Sequence, residues 1–328
     1  MSKLVTIYGG SGFVGRHIAQ RMAHAGWRVR IAVRRPNEAL FVKTYGTVGQ
    51  LEPVLCNIRN DASVRAALLG ADAVVNCVGT FDSRGKNSFD AVQAEGAGRV
   101  ARLAAAEGVH NLVQISAIGA EIEAASQYAR SKAQGEVAVR EAFPNAVILR
   151  PSVIFGPDDG FFNRFASLTR FGPILAIAGG NTRFQPVYVD DVAEAAAKAA
   201  MGQAAPGIYE LGGPETSSLR DLTQAMLAEI QRRRLVVNLP FFVARIIAAL
   251  LDFGSFVTGG LVRNRILTRD QVASLRVDSV VSDGAKGFAD LGITPTAMEA
   301  VLPEYLWRYR PSGQYAAIKN SAKNLHKA

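Results

Sequence analysis

Three observations predict an α/β fold: a doubly wound parallel sheet with a smaller, mostly helical C-terminal domain. Over residues 1–155, short apolar runs alternate with helical stretches. Such alternation implies parallel strands joined by right-handed crossovers. The runs are apolar on both faces, as strands covered by helices on each side must be. Past Pro151 the alternation lapses, and Gly156-Pro157 and Gly172-Pro173 break the chain into loops.

Taken in order, Leu4 to Tyr8 is the first strand. The helix after it places Val14, Ile18, Met22 and Ala25 on one face and stops at Gly26. Val29, Ile31 and Val33 mark the second strand. Val54 to Cys56, Ala73 to Val78, Leu112 to Ile115 and Ala146 to Leu149 are the next ones. Pro186 to Val189 reads as a strand leading into an Ala-rich helix from Asp190 to about Met201, and Gly207 to Leu211 as a further strand. Ser218-Leu219-Arg220-Asp221 has a capping-box pattern, opening a helix with Leu219, Leu222, Met226 and Ile230 inward. Leu239 to Phe253 is a very apolar helical stretch. The expected domains are 1–155 with return segments at about 184–212, a smaller domain over 156–310, and a basic tail at 311–328.

The 328 residues are 49% apolar and 20% charged, a globular composition. A net charge of +9 at pH 7 suits an anionic partner: a phosphorylated ligand, an acidic protein surface or an anionic membrane. Nucleic acid is not expected, because no basic stripe with interleaved aromatics occurs. Cys56 and Cys77 lie in apolar strand-like runs and read as small buried hydrophobes in a reducing compartment, without a disulfide. No metal site is expected. The first strand starts at Leu4, which leaves no room for a signal peptide. No apolar run reaches the roughly 20 residues that span a bilayer. A soluble or peripheral protein is therefore expected.

Gly9-Gly10-Ser11-Gly12-Phe13-Val14-Gly15 lies between a strand and a helix, the context that gives a glycine motif meaning. Side chains at Gly9 or Gly12 would keep a pyrophosphate from the backbone. The helix N-terminus offers free N–H groups and partial positive charge, and Gly15 lets the helix pack close to the sheet. The other reading is an ordinary tight turn. The motif predicts a Rossmann-type domain that binds a dinucleotide. NAD-binding domains place an acid at the end of the second strand, but here that strand ends Val33-Arg34-Arg35. Two guanidiniums grip a 2′-phosphate by charge-assisted, bidentate bonds, so NADPH is the expected cofactor; the competing reading is two solvated surface arginines. Gly79, at the end of the fourth strand, either lets the backbone approach the cofactor ribose or simply ends the strand.

Tyr128 and Lys132 stand at i and i+4, on one helical face. Ser116 ends the strand before them. An ammonium beside a phenol favours phenolate, and a serine hydroxyl can hold a substrate oxygen. Ser116, Tyr128 and Lys132 are thus the candidate catalytic residues.

With these motifs the chain resembles the short-chain dehydrogenase/reductase superfamily in its extended or atypical branch, over about residues 3–230. Arg150-Pro151-Ser152 and Pro186-Val187-Tyr188-Val189-Asp190-Asp191-Val192 add to the resemblance. It implies cofactor contacts from Gly9, Ser11, Gly12, Phe13, Val14, Gly15, Arg34, Arg35, Asn57, Ile58, Val78, Gly79, Tyr128 and Lys132. It also implies that Pro151, Ser152, Val153 and Ile154 line the nicotinamide pocket. Asn57 departs from the pattern, since many members have Asp there beside the adenine. Phe161-Phe162-Asn163-Arg164-Phe165, Arg170-Phe171-Gly172-Pro173 and Leu267-Thr268-Arg269-Asp270-Gln271-Val272 are similar to one subfamily, the nucleotide-binding accessory subunits of respiratory complex I. That resemblance implies a structural NADPH-holding subunit, away from the electron path. Its partners are other complex I subunits, and its place is peripheral on the cytoplasmic side of a bacterial inner membrane. Ser116, Tyr128 and Lys132 are then either a working triad or an inherited cradle in which Tyr128 and Lys132 bond the nicotinamide ribose. The alternative is an NADP-dependent reductase, epimerase or dehydratase acting on a sugar nucleotide, a quinone precursor or an isoprenoid.

Arginines flank the apolar stretch Leu239 to Phe253: Arg232, Arg233 and Arg234 before it, Arg263, Arg265 and Arg269 after it. Such a helix suits a membrane or subunit surface, or else caps the smaller domain. The tail, with Lys319, Lys323 and Lys327, is a disordered end or an arm that orders on a partner.

Overall fold

The computed structural model describes residues 2–80, 85–257, 264 and 267–315, the side chains of 253–257 and 314 excepted. The chain begins β1 (Leu4–Tyr8), α1 (Phe13–His24), β2 (Arg28–Val33), β3 (Leu51–Leu55), α2 (Asp61–Leu68), β4 (Ala73–Asn76), α3 (Glu95–Ala106), β5 (Asn111–Ile115), α4 (Gln127–Ala142) and β6 (Val147–Pro151). It continues with β7 (Ile154–Phe155), α5 (Phe162–Leu168), β8 (Ile174–Ala178), β9 (Arg183–Phe184), β10 (Val187–Tyr188), α6 (Val189–Ala200) and β11 (Gly207–Leu211). Last come β12 (Ser217–Ser218), α7 (Leu219–Glu229), β13 (Leu235–Leu239), α8 (Phe241–Val257), α9 (Arg269–Ser274) and α10 (Met298–Leu306).

The first of two compact units comprises Met1–Ser152, Val189–Gly212 and Val281–Pro295. Its seven strands run in the order β11-β6-β5-β4-β1-β2-β3, and every pairing is parallel. The α/β doubly wound fold is thus present. The chain builds outward from β1 to β3, then returns to β4 and builds the other way. This reversal puts a crevice at the carboxyl ends of β1 and β4, where open α/β sheets bind ligands. The glycine turn follows β1, and Cys77 to Gly79 follow β4, so both motifs reach that crevice.

Local chemistry moves several boundaries. β3 starts at Leu51, ahead of Val54, and contains Pro53. It pairs only with β2 at the sheet edge, where a missing N–H is tolerated. β4 stops at Asn76, short of the expected Val78. The Asn76 Oδ1 accepts the Val78 N–H at 3.1 Å, which offers the backbone an alternative to the ladder. Val189 opens α6 where a strand end was expected; Asp190 and Asp191 fill that helix's first turn, favourable at its positive end.

The second unit comprises Val153–Tyr188, Gly213–Val280 and Thr296–Ala328. Its core gathers Phe155, Phe162, Leu219, Leu222, Met226, Tyr305 and Leu306. The inward face expected for α7 is realised: Leu219, Leu222, Met226 and Ile230 are all buried. The Ser218 Oγ caps that helix by accepting the Asp221 N–H at 3.2 Å. Asp159 is buried and accepts from Tyr305 Oη (2.6 Å) and from the N–H groups of Gly156, Phe161 and Asn163. It ties the loop before α5 to α10.

The apolar stretch at Leu239 is divided. Leu239 ends β13, which pairs in parallel with β8, and the helix starts after Pro240. In α8 the buried face is narrow and small, Ala244 and Ala248 packing with Val272 and Ala178. Phe242, Ile246 and Leu250, four residues apart, are 67%, 57% and 66% exposed. Among the described residues no helix is long and apolar enough to cross a membrane. Arg263, Arg265 and the tail lysines lie outside the described residues.

Candidate functional site

The glycine turn is built by backbone alone. Gly9 has φ +75°, a left-handed conformation that side chains disfavour. Its carbonyl accepts the Gly12 N–H at 2.9 Å, which folds the turn back onto α1. At Gly15 a Cβ would stand 2.5 Å from the Gly9 oxygen and 2.7 Å from the Gly10 Cα. The demand at Gly15 is therefore made by the turn itself, where the sequence suggested close packing on the sheet. Ser11, Phe13 and Val14 complete the turn and the first helical residues. No acidic side chain occupies the first turn of α1 and none caps it, so the leading N–H groups suit an anion.

Beyond β2, Arg34 is exposed and has no hydrogen bond or ion pair among the described residues. Arg35 donates to Glu38 at 2.9 Å in a solvent-exposed pair, which leaves Arg34 the more available cation. Sequence reasoning passed over Arg16. Its Nε donates to the Gly12 carbonyl at 3.3 Å and its guanidinium lies 5.3 Å from the Phe41 ring centroid, so a further cation stands at the glycine turn. The signal was its place immediately after Gly15. Asn57 is used internally: its side chain accepts the Arg59 N–H at 3.2 Å and its own N–H donates to Ser63 Oγ at 2.9 Å. Ile58 packs against Gly96 of α3.

Tyr128 and Lys132 share a face of α4. The Lys132 Nζ is 5.9 Å from the Tyr128 ring centroid and donates to the Ile115 carbonyl at 3.0 Å. Phe89 meets the Tyr128 ring edge to face at 6.2 Å. Lys132 is buried, and burial lowers its pKa to about 8, against the opposing pull of Cys77 and Glu136. Burial likewise pushes the Cys77 thiol up to about 12. A Cβ on Gly79 would sit 3.5 Å from Lys132 Nζ, an ordinary contact, so Gly79 borders the lysine without being sterically required. Val78 stands between Gly79 and Cys77.

Ser116 faces a different set of groups. Its buried hydroxyl donates to Glu136 Oε1. Glu136 is clamped by Arg150 through Nε (2.9 Å) and Nη2 (2.6 Å), and Arg150 also reaches Glu210 at 3.5 Å. Ser116 thus belongs to a buried ion network, which no motif announced. Arg150, read as part of an Arg-Pro-Ser signature, is the hub of that network. Pro151 and Ser152 close β6 in the first unit; the Pro151 carbonyl accepts the Ile118 N–H at 3.0 Å and the Ser152 N–H donates to the Leu211 carbonyl at 2.9 Å. Val153 and Ile154 belong to the second unit, where Val153 accepts the Val187 N–H and Ile154 pairs with Val187.

Residues 5–212 match the model of the NAD dependent epimerase/dehydratase family. The chain is 33% identical over 316 residues to the Arabidopsis thaliana protein named NADH dehydrogenase [ubiquinone] 1 alpha subcomplex subunit 9, mitochondrial, covering 94% of this chain and 79% of that one. It is 30% identical over 311 residues to the NADH-ubiquinone oxidoreductase 40 kDa subunit, mitochondrial, of Neurospora crassa, covering 94% and 80%. Among solved structures it resembles the Bordetella bronchiseptica enzyme WbmH in complex with NAD+, with a TM-score of 0.62 and 20% identity over 73% of this chain and 86% of that one.

Proposed function

The chain belongs to the NAD dependent epimerase/dehydratase family, with its NAD(P)-binding fold, and we propose that it is an accessory subunit of respiratory complex I that holds NADPH as a structural ligand. The reading is supported by likeness to mitochondrial subunits of that enzyme along 94% of the chain. The observation that carries the structural role is Ser116, whose hydroxyl proton is donated to Glu136 instead of being offered to a substrate oxygen.

The residues present fit the cofactor. A Cβ at Gly15 would strike the turn that receives the pyrophosphate. Gly9, Ser11, Gly12, Phe13, Val14 and Gly15 cradle it with backbone N–H groups. Arg34, with Arg35 beside it, grips the 2′-phosphate. Asn57, Ile58, Val78 and Gly79 border the adenosine half, while Tyr128 and Lys132 bond the nicotinamide ribose. Pro151 and Ser152, at the end of β6, line the nicotinamide pocket. When bound, the nicotinamide supplies a hydride donor. A ligand that binds only the folded chain stabilises it by mass action, which is all that a structural role asks.

The protein lies on the cytoplasmic side of a bacterial inner membrane, its partners being other complex I subunits. The α8 face of Phe242, Ile246 and Leu250, with exposed Arg245, is the surface it offers to a membrane or a neighbouring subunit. Native gel migration of detergent-solubilised membranes tests this: the protein should run with the NADH dehydrogenase activity, and migration alone would overturn it. The competing reading, an NADP-dependent reductase, epimerase or dehydratase, rests on the retained Tyr128–Lys132 pair. It requires turnover that collapses in Tyr128→Phe, whereas the accessory subunit loses little by that change.

A further inference from the structure

The second unit contains a cavity of about 360 Å³, lined by Asp158, Asp159, Asn163, Ser167, Arg170, Arg308 and Tyr309. Asn163, Ser167 and Arg170 stand at i, i+4 and i+7, so α5 and the turn that extends it present one row to the cavity. Two guanidiniums stack on a single ring: Arg170 lies 5.3 Å and Arg308 5.5 Å from the Tyr309 centroid.

The donors of this cavity are only partly used. Arg308 Nη2 is held by the Pro157 carbonyl and by Asn163 Oδ1 at 2.8 Å, which fixes the planar group while leaving its Nε and Nη1 without a partner among the described residues. The Arg170 guanidinium has no hydrogen bond or ion pair among the described residues. An aromatic stack holds a guanidinium in place without consuming its N–H groups. The acids do not cancel this. Both Asp159 oxygens are taken by the four donors already described. The one charge of Asp158 stands against two guanidiniums in the lining, Arg170 and Arg308; outside the lining, Arg232 donates to the Tyr309 carbonyl (2.9 Å) and Arg234 to the Thr169 carbonyl (3.0 Å).

We propose that this cavity binds a phosphate monoester, gripped by Arg170 and Arg308. Forked, pre-oriented guanidiniums recognise phosphate oxygens in pairs. The phosphate can belong to a small soluble metabolite or to the headgroup of a lipid, because the same donors serve either. Phe171, beside Arg170, is 86% exposed, an apolar neighbour that a lipid-borne phosphate would find useful.

The test uses the full chain with inorganic phosphate and glycerol 3-phosphate in calorimetry, and with phosphatidylcholine vesicles with and without phosphatidic acid in sedimentation. Arg170→Ala should weaken binding by roughly tenfold, the loss of a charge-assisted, bidentate contact. Arg233→Ala removes the same charge from an exposed neighbouring position and should change little; Arg34→Ala separates any phosphate taken up at the dinucleotide turn. Binding of the soluble probes that depends on Arg170 assigns a small metabolite. Arg170-dependent binding of phosphatidic acid vesicles alone assigns a lipid. No binding to either probe, an equal loss in Arg233→Ala, or a loss in Arg34→Ala with none in Arg170→Ala overturns the proposal.

Discussion

The first unit gathers its buried charges into a paired network, and the second sets exposed hydrophobes in a row along one helix, where the exposed Leu40, Val48, Leu55 and Leu69 of the first are scattered. In the sheet unit Glu136, Lys132 and Glu210 are all under 10% exposed, and each has a partner. In the other unit Phe171, Ile174, Leu235, Phe242, Ile246 and Leu250 are more than half exposed. Buried pairs specify one geometry, because each charge left without its partner is costly. Exposed apolar rows do little for the fold that carries them, so their presence points to something they meet. Under the proposed function, the buried pairs fix the geometry of the unit that holds the ligand, and the apolar row of the other is the surface offered to a partner.

The comparison breaks first at the buried network. Glu136→Ala takes from Arg150 its bidentate partner, leaving Glu210 at 3.5 Å, and removes the acceptor of Ser116; urea denaturation should register a loss of about 3 kcal/mol. A stability close to that of the parent would mean that the network is incidental. Next, Gly15→Ala forces a methyl against the Gly9 carbonyl. It should cost about 1–3 kcal/mol and remove NADPH-induced thermal stabilisation in the same protein.

Arg34→Ala sharpens the assignment of the cofactor. NADPH affinity should fall about tenfold, or about 1.4 kcal/mol, while NADH affinity stays put; an equal fall for both in titration calorimetry would count against a 2′-phosphate contact. The pH dependence is gentler. Burial lowers Lys132 to about 8 from an ordinary 10.5, so between those values the unfolded chain holds the extra proton and stability rises with pH. The cost of the buried ammonium is present below pH 8 and is relieved above it. NADPH affinity should move the other way, declining as the ammonium is lost through pH 8. Lys132→Met should flatten both curves in denaturation and titration series.

The smallest effect on stability belongs to the exposed row. Ile246→Glu with Leu250→Glu should shift unfolding by no more than about 0.5 kcal/mol per site, yet release the protein from membranes in flotation. A large destabilisation would make that face part of the core and end the contrast between the units.

Short-range features are legible in the sequence. The strand–turn–helix with glycines at 9, 12 and 15 declares itself because its demands are met within seven residues. The Tyr128–Lys132 pair does so because a helix brings i and i+4 together. The inward face of α7 follows from the same periodicity. Where elements stop was less legible: Asn76 ends β4 by a side-chain bond to its own chain, and Pro53 is accommodated only because β3 is an edge.

From sequence alone come the parallel α/β class, the dinucleotide turn, the arginines after β2 and the apolar stretch past Leu239, all of them set by local periodicity and residue type. Tertiary structure alone decided that Ser116 joins Glu136, twenty positions away, and that Arg150 reaches Glu210 across sixty. It also brought Arg308 to Asn163 across 145. Such pairings leave no mark on the spacing of residues, because the folded backbone, not the chain's own repeat, sets which distant charges meet.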